Sequence, residues 1–464
     1  MNGRSALGPT MSRRRFLEVG GLGLATVAGG SLLSGCGGDS GSASGDKTLT
    51  VIVSQSPTAP EGQQRILDLI TQKFEDANPG ATVRFDVVQL GSAVATAIMT
   101  TAASHDGPDI FEVGPQHLPT GQAAGVFEPI TDAEWDGLGG RDRYLPSVLA
   151  AMGQSDDAQV AVPYYASTMA MYYNTAHFAE AGLTAPPTTW SDFIAVAQQL
   201  SDPAAEKYAV GEAAAEPTHP WHVIWLLTKQ LGADLISADG TTAQLDADEV
   251  LEATRFWMDW IAEHRIVARR GATQTSAEQV QQFVNAEISM FPCGFTQAIS
   301  SMPGTAVADT WGLAGNPTVP FGMSALPAGQ PAVQTYLGGA TWAISKHSKN
   351  RDLALELTKL MGDPDVQQLT WQEVGGLPVT EETFEAHPET REDHWQVIYD
   401  AAVAAEATPW SPSFGQVSPL IAEALKPSFA ELAGSGGYDS DALRTQLQTA
   451  NEKLAAALAT EARQ

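Results

Sequence analysis

Thr48-Leu49-Thr50-Val51-Ile52-Val53 is a short apolar run rich in β-branched residues, the composition of a strand buried on both faces. Immediately after it, Ile66, Leu69, Ile70 and Phe74 recur at helical spacing, and Asn78-Pro79-Gly80 supplies the stop. Val83, Phe85 and Val87 then alternate as a second strand, a helix is predicted from Ala93 to Ala103, and Asp109 to Val113 reads as a third strand. Strand and helix taken in turn predict an α/β fold with a parallel sheet covered on both faces. In open sheets of this kind ligands lie beyond the carboxyl ends of the strands, which selects the loops 54–63, 89–93 and 112–121. Gly114-Pro115 and Pro119-Thr120-Gly121 give the last of these a shaped turn.

Further along, Val160 to Pro163 leads through Tyr164-Tyr165-Ala166-Ser167-Thr168 into the strand-like Met169 to Tyr173, a passage suited to carry the chain into a second lobe. Helical spacing dominates beyond it, over Trp190–Leu200, Trp221–Gln230, Ala247–His264, Ala277–Ala286, Arg351–Met361 and Asp441–Ala459. Trp225, Trp257 and Trp260 fall on the apolar stripes of these helices and are expected in a core. No internal repeat is present.

The amino terminus is of a different kind. Ser12-Arg13-Arg14-Arg15-Phe16-Leu17 opens a weakly apolar run that ends at Leu33-Ser34-Gly35-Cys36. Charged start, short glycine-rich apolar stretch and small residues before a cysteine describe an export signal over residues 1–35. The two halves resemble the twin-arginine signal, with Glu18 where a lysine is usual, and the bacterial lipobox. That resemblance implies diacylglycerol on Cys36 and a lipid anchor on the outer face of the cytoplasmic membrane or in the periplasm. Residues 36–46 hold no large apolar side chain and are expected to form a flexible tether.

The full chain carries a net charge of -29. Removing residues 1–35 takes away Arg4, Arg13, Arg14, Arg15 and Glu18, leaving 21 basic against 53 acidic residues, a balance of -32. A field of that sign repels phosphate backbones, so no nucleic acid is expected as a partner. With Cys36 committed to lipid only Cys293 remains. No internal disulfide is expected, and Cys293 reads as a small core residue.

Chemical constellations are missing. There is no Gly-x-Ser-x-Gly elbow, His-Glu-x-x-His pair, Cys-x-x-Cys, phosphate-binding Gly-x-x-x-x-Gly-Lys loop or EF-hand loop. His219 and His222 share one helical face, but without an evident third ligand they are read as structural. Carboxylate pairs sufficient for glycoside hydrolysis are not excluded by the sequence, although no motif places one at a strand end. No catalytic residue, metal or cofactor is assigned.

One ordered series of segments remains: Phe74 to Gly80, Pro108-Asp109-Ile110-Phe111, Gly125 to Ile130, Val162 to Tyr165 with Met171 to Asn174, Ala181-Gly182-Leu183 before Pro187 to Trp190, Phe283 to Met290, and Leu337 to Ile344. In order and spacing this series resembles the family 1 extracellular solute-binding proteins, the sugar-capturing lipoproteins of ABC importers. The resemblance implies a two-lobe periplasmic-binding-protein type II fold with a multi-strand hinge and a ligand cleft between lobes. Residues 47–165 and 322–362 would form the amino-terminal lobe, and 166–321 and 363–464 the carboxyl-terminal lobe. It implies a monomer that binds a small carbohydrate, performs no chemistry and docks on the transmembrane subunits of an ABC permease.

Carried over segment by segment, the resemblance puts Glu112, Gln116 and His117 at the cleft, with Gln55 from the first loop and Tyr164 and Tyr165 at the first crossing. Glu216 would accept from hydroxyls, and Trp221, Phe295, Trp410 and Phe414 would stack on sugar faces. Gly294, Gly338 and Gly339 would allow close backbone approach. Two other readings stay open at this point: the same fold binding a polyamine or metal chelate, and a secreted glycoside-active enzyme.

Overall fold

The computed structural model describes residues 47–461 except 57–58, 90–91, 156, 320–332, 334 and 392. The expected export signal, Cys36 and the tether lie outside the described residues. So does most of the stretch by which the chain was expected to re-enter the first lobe.

The opening run forms β1 (Thr48–Ser54), which pairs in parallel with β2 (Thr82–Val88) on one side and β3 (Ile110–Val113) on the other. Between β1 and β2 the helix Pro60–Ala77 buries Ile66, Leu67, Ile70 and Phe74, with Leu67 taking the place expected for Leu69. Each such side chain contributes about 1.5–3 kcal/mol. The sheet continues differently from the expectation. β4 (Val162–Ser167) reaches it only through β8 (Gly338–Ile344), which runs antiparallel to both β3 and β4, so the order is β2-β1-β3-β8-β4 and the sheet is mixed. The reversal follows from where β8 begins. Its chain arrives at the edge where β1, β3 and β4 end and can only run back across the sheet.

Thr168 alone separates β4 from β5 (Met169–Asn174), the centre of a second, antiparallel sheet between β6 (Met290–Phe295) and β7 (Trp311–Ala314). The helices Trp190–Leu200, His219–Gln230, Asp248–Ala262 and Ser440–Glu461 surround a second apolar cluster containing Trp190, Phe193, Trp225, Trp257 and Trp260. The tryptophans expected in a core are therefore there. Cys293 is buried in the same cluster.

The first apolar cluster gathers Val51, Val53, Phe74, Phe111 and Trp342 around the first sheet. It also takes in Val366, Val374, Leu377, Phe384, Ile398 and Ala402, from beyond the expected boundary at residue 362, and reaches the second sheet through Tyr172, Phe291 and Leu313. Pro364–Val374 is a helix lying against Pro60–Ala77, fastened by Arg65 to Glu373 (2.8 Å) and by Lys73 to Asp363 (3.0 Å) and Asp365 (2.6 Å).

Candidate functional site

The carboxyl ends of β1, β3 and β4 and the start of β8 share one edge of the first sheet, and the start of β5 pairs with the end of β6 just past the crossing. Passages through the crossing are bonded side by side. Thr296 N–H donates to the Thr168 carbonyl (3.1 Å), Met169 N–H to Thr335 Oγ1 (2.7 Å) and Leu337 N–H to the Glu406 carbonyl (2.9 Å). Residues carried by these strand ends are thus brought together from parts of the chain far apart in sequence.

From the first sheet come Glu112, Tyr165 and Gly339. Glu112 is buried opposite Trp342, and burial pushes its carboxyl up to about 7, with the Ser54 backbone and the Trp342 indole pulling the other way. Tyr165 is half-buried, and its phenol is raised chiefly by burial, then by the fields of Glu112, Tyr164 and Tyr336. Gly339 sits at φ +119°, where an added Cβ would lie 2.1 Å from the Tyr165 carbonyl oxygen. Only glycine lets β8 pass β4 there. Gly338 abuts the Tyr336 hydroxyl, 2.5 Å from where a Cβ would stand.

From the second sheet and its helices comes a group of rings. Tyr336 stacks on His222 (centroids 4.5 Å apart) and meets Trp221 at 5.3 Å and Phe295 at 6.2 Å. His222 lies 3.9 Å from Trp221 and 4.9 Å from Phe295, and Phe414 meets the far side of this group at 5.6 Å from Trp221. Phe295 is partly exposed, whereas Trp221 and Phe414 are buried.

The loop after β3 closes the arrangement on one flank. Its Thr120 hydroxyl donates to the Pro412 carbonyl (2.7 Å), and a Cβ on Gly415 would lie 3.2 Å from His117 Nδ1. Burial lowers the His117 imidazole below its ordinary value. Gln116, partly exposed, folds back beside Gly114.

Several expected site residues have other neighbours. Tyr164 is buried and turns its hydroxyl to Thr370 Oγ1 (3.0 Å), so its ring belongs to the first core. Glu216 sits at the start of another helix, where its carboxylate accepts from Ser276 N–H (3.4 Å). Trp221, expected to stack on a ligand, is covered by other rings. Gly294 makes room for Phe291 and Tyr172, whose rings stack at 4.5 Å. Gln55 is exposed and donates its backbone N–H to Val88. Trp410 is half-buried beside Gly240 and the first cluster.

Two residues at the crossing were not singled out for binding. Tyr336 directly precedes the Leu337-Gly338-Gly339 segment, and that adjacency was its signal. His222 was weighed with His219 as a metal pair. The structure separates them: His219 Nε2 lies 2.6 Å from Glu212 Oε1 in a buried trio with Trp257, whose Nε1–H donates to Glu212 Oε2 (2.7 Å), while His222 faces the rings. Among the described residues no group of three His, Cys, Asp or Glu side chains is placed to hold a metal. No helix among them is long and apolar enough to cross a membrane.

The model of the family described as bacterial extracellular solute-binding protein matches residues 58–368. This chain belongs to that family. It is a family of solute-binding proteins, not of enzymes. This solute-binding protein has the two-lobe type II fold: a structure of an ABC transporter solute-binding protein from Thermotoga lettingae bound with alpha-D-tagatose superposes on it with a TM-score of 0.72 at 20% identity, covering 88% of this chain and all of that one. Maltose-bound MalE3 of T. maritima gives 0.71 at 19% identity, with 88% and 99% covered. In sequence, the diacetylchitobiose binding protein DasA of Streptomyces coelicolor is 24% identical over 404 residues, 84% of this chain and 86% of its own.

Proposed function

We propose that this solute-binding protein captures a mono- or oligosaccharide where its two sheets meet and delivers it to the transmembrane subunits of an ABC importer. The observation that carries the reading is the juxtaposition at one crossing of aromatic rings, from Phe295 and Tyr336, with the polar groups of Glu112, Tyr165 and His222. Sugar rings offer apolar faces to stack and hydroxyls that need both donors and acceptors, and this mixture serves both. The proteins named above that hold tagatose, maltose and diacetylchitobiose add support. The lobes would be residues 47–167 with 337–402, and 168–335 with 407–461. They would close about the passages at 167–169, 335–337 and 406. Gln55, Gln116 and Trp410 stand at the margin of the proposed site. Diacylglycerol on Cys36 would hold the exported monomer at the outer face of the cytoplasmic membrane.

The test is a panel of monosaccharides, oligosaccharides, polyols, polyamines and metal chelates presented to the purified protein, read by thermal shift with the sugars recovered afterwards. A shift with at least one saccharide returned unchanged is expected. A shift with amines or chelates alone, or cleavage of the sugar, would overturn the reading. For the anchor, Cys36→Ser is expected to release the protein from membranes and to remove the lipid mass.

A further inference from the structure

His222 is buried, 4% exposed, at the first turn of the His219–Gln230 helix, yet neither Nδ1 nor Nε2 has a hydrogen-bond partner within the protein. Buried polar groups without a hydrogen-bond partner are destabilising and rare in folded proteins. A core position would select an apolar ring of similar size. The surroundings here are three aromatic rings, Tyr336 stacked at 4.5 Å, Trp221 at 3.9 Å and Phe295 at 4.9 Å, and Phe295 keeps part of its surface open. The same rings lie at the crossing that holds the proposed site.

We infer that His222 is a solute-contacting residue, its two ring nitrogens offering one donor and one acceptor to hydroxyls of an uncharged polyhydroxylated solute held against Phe295 and Tyr336. The inference rests on the saccharide reading above and narrows it to a neutral ligand. The groups facing the imidazole support neutrality. On its own helix the neighbouring titratable group is His219, whose Nε2 is engaged by Glu212. From the crossing it meets the Tyr336 phenol, and from β6 the Phe295 ring. Burial and the neighbouring His219 hold the imidazole well below its ordinary value, so it stays uncharged at neutral pH. An anionic solute would gain no charge pairing from an imidazole held neutral. A neutral imidazole gives a hydroxyl pair both kinds of hydrogen bond.

The experiment uses the purified full-length protein and the saccharide that gives its largest thermal shift. Calorimetric affinity is compared among the parent, His222→Phe, which keeps a ring and loses both nitrogens, and His222→Gln, which restores a donor and an acceptor. His222→Phe is expected to bind at least tenfold more weakly, with partial recovery in His222→Gln. Equal affinity in His222→Phe and the parent would overturn the role of His222 and leave the saccharide reading standing. A parent that retains only amines or anions would overturn both. Should His222→Phe fail to fold, ring nitrogen resonances of the parent decide: those of His222 are expected to move on saturation with the saccharide, and unmoved resonances would overturn the assignment.

Discussion

Glu112 shows how a single position couples stability to pH. Its carboxyl is raised to about 7 by burial, against an ordinary 4.5 in the unfolded chain. Between those values the folded protein holds a proton that the unfolded chain has released, so this group's contribution to stability is greatest below 4.5 and is lost as pH rises through 7. Glu112→Gln is expected to be nearly neutral at pH 4 and to stabilise by about 2–3 kcal/mol at pH 8. Urea unfolding of both proteins at pH 4, 6 and 8 checks this, and parallel profiles would refute it. Gly339 gives a second expectation. Gly80 and Gly339 both have positive φ, but a Cβ on Gly80 meets nothing within 4 Å, whereas on Gly339 it strikes the Tyr165 carbonyl. Gly80→Ala should cost about 1 kcal/mol and Gly339→Ala at least about 2 kcal/mol, read as a difference in unfolding midpoint. At this scale residue types were legible while side-chain directions were not. Tyr164 and Tyr165 are adjacent and chemically alike, and a register shift between Pro163 and Tyr165 leaves their rings 5.0 Å apart, yet Tyr164 is buried with its hydroxyl on Thr370 Oγ1 while Tyr165 stays half-buried.

Among the elements, the helix Pro364–Val374 went unread because it lacks a clean apolar stripe. Gln367 and Thr370 are buried alongside Val366 and Val374. Only Asp363-Pro364 signals its start, the aspartate accepting from Asp365 N–H (3.1 Å) and Val366 N–H (3.2 Å) ahead of a proline in the first turn. The helix Val417–Ser435 went unread for another reason: Pro427 stands inside it, and tertiary packing of Ile421, Leu425, Phe429 and Leu432 overrides the break. Gln367 makes its helix part of the first lobe's framework. Its amide donates to the carbonyls of Tyr164 and Met361, and its oxygen accepts from Val379 N–H (2.8 Å). Gln367→Ala leaves those buried groups unpaired and is expected to destabilise by about 2–4 kcal/mol in chemical denaturation. Arg65→Ala, at the exposed pair with Glu373, should stay within about 1 kcal/mol. Equal costs would mean that the ion pair, not the buried amide, fastens this helix.

At the level of the whole molecule, the two sheets are joined by short passages, one of them the single residue Thr168 between β4 and β5. Few dihedral angles need change for the lobes to move, so a saturating saccharide is expected to reduce the radius of gyration in solution scattering. Superposable profiles with and without a bound saccharide would show that binding proceeds without closure. The chain's own order of residues determined the β-α-β-α-β opening, the tryptophan-rich second core and membership of the solute-binding family, because local periodicity and segment spacing are written along the chain. Tertiary structure alone decided the reversed direction of β8, the packing of the helix Pro364–Val374 against Pro60–Ala77, and the union of Glu112, Tyr165, His222, Phe295 and Tyr336. Those depend on contacts between residues as far as 308 positions apart, whose geometry is set by packing and by the few ways a crossing strand can enter a sheet, not by any local preference.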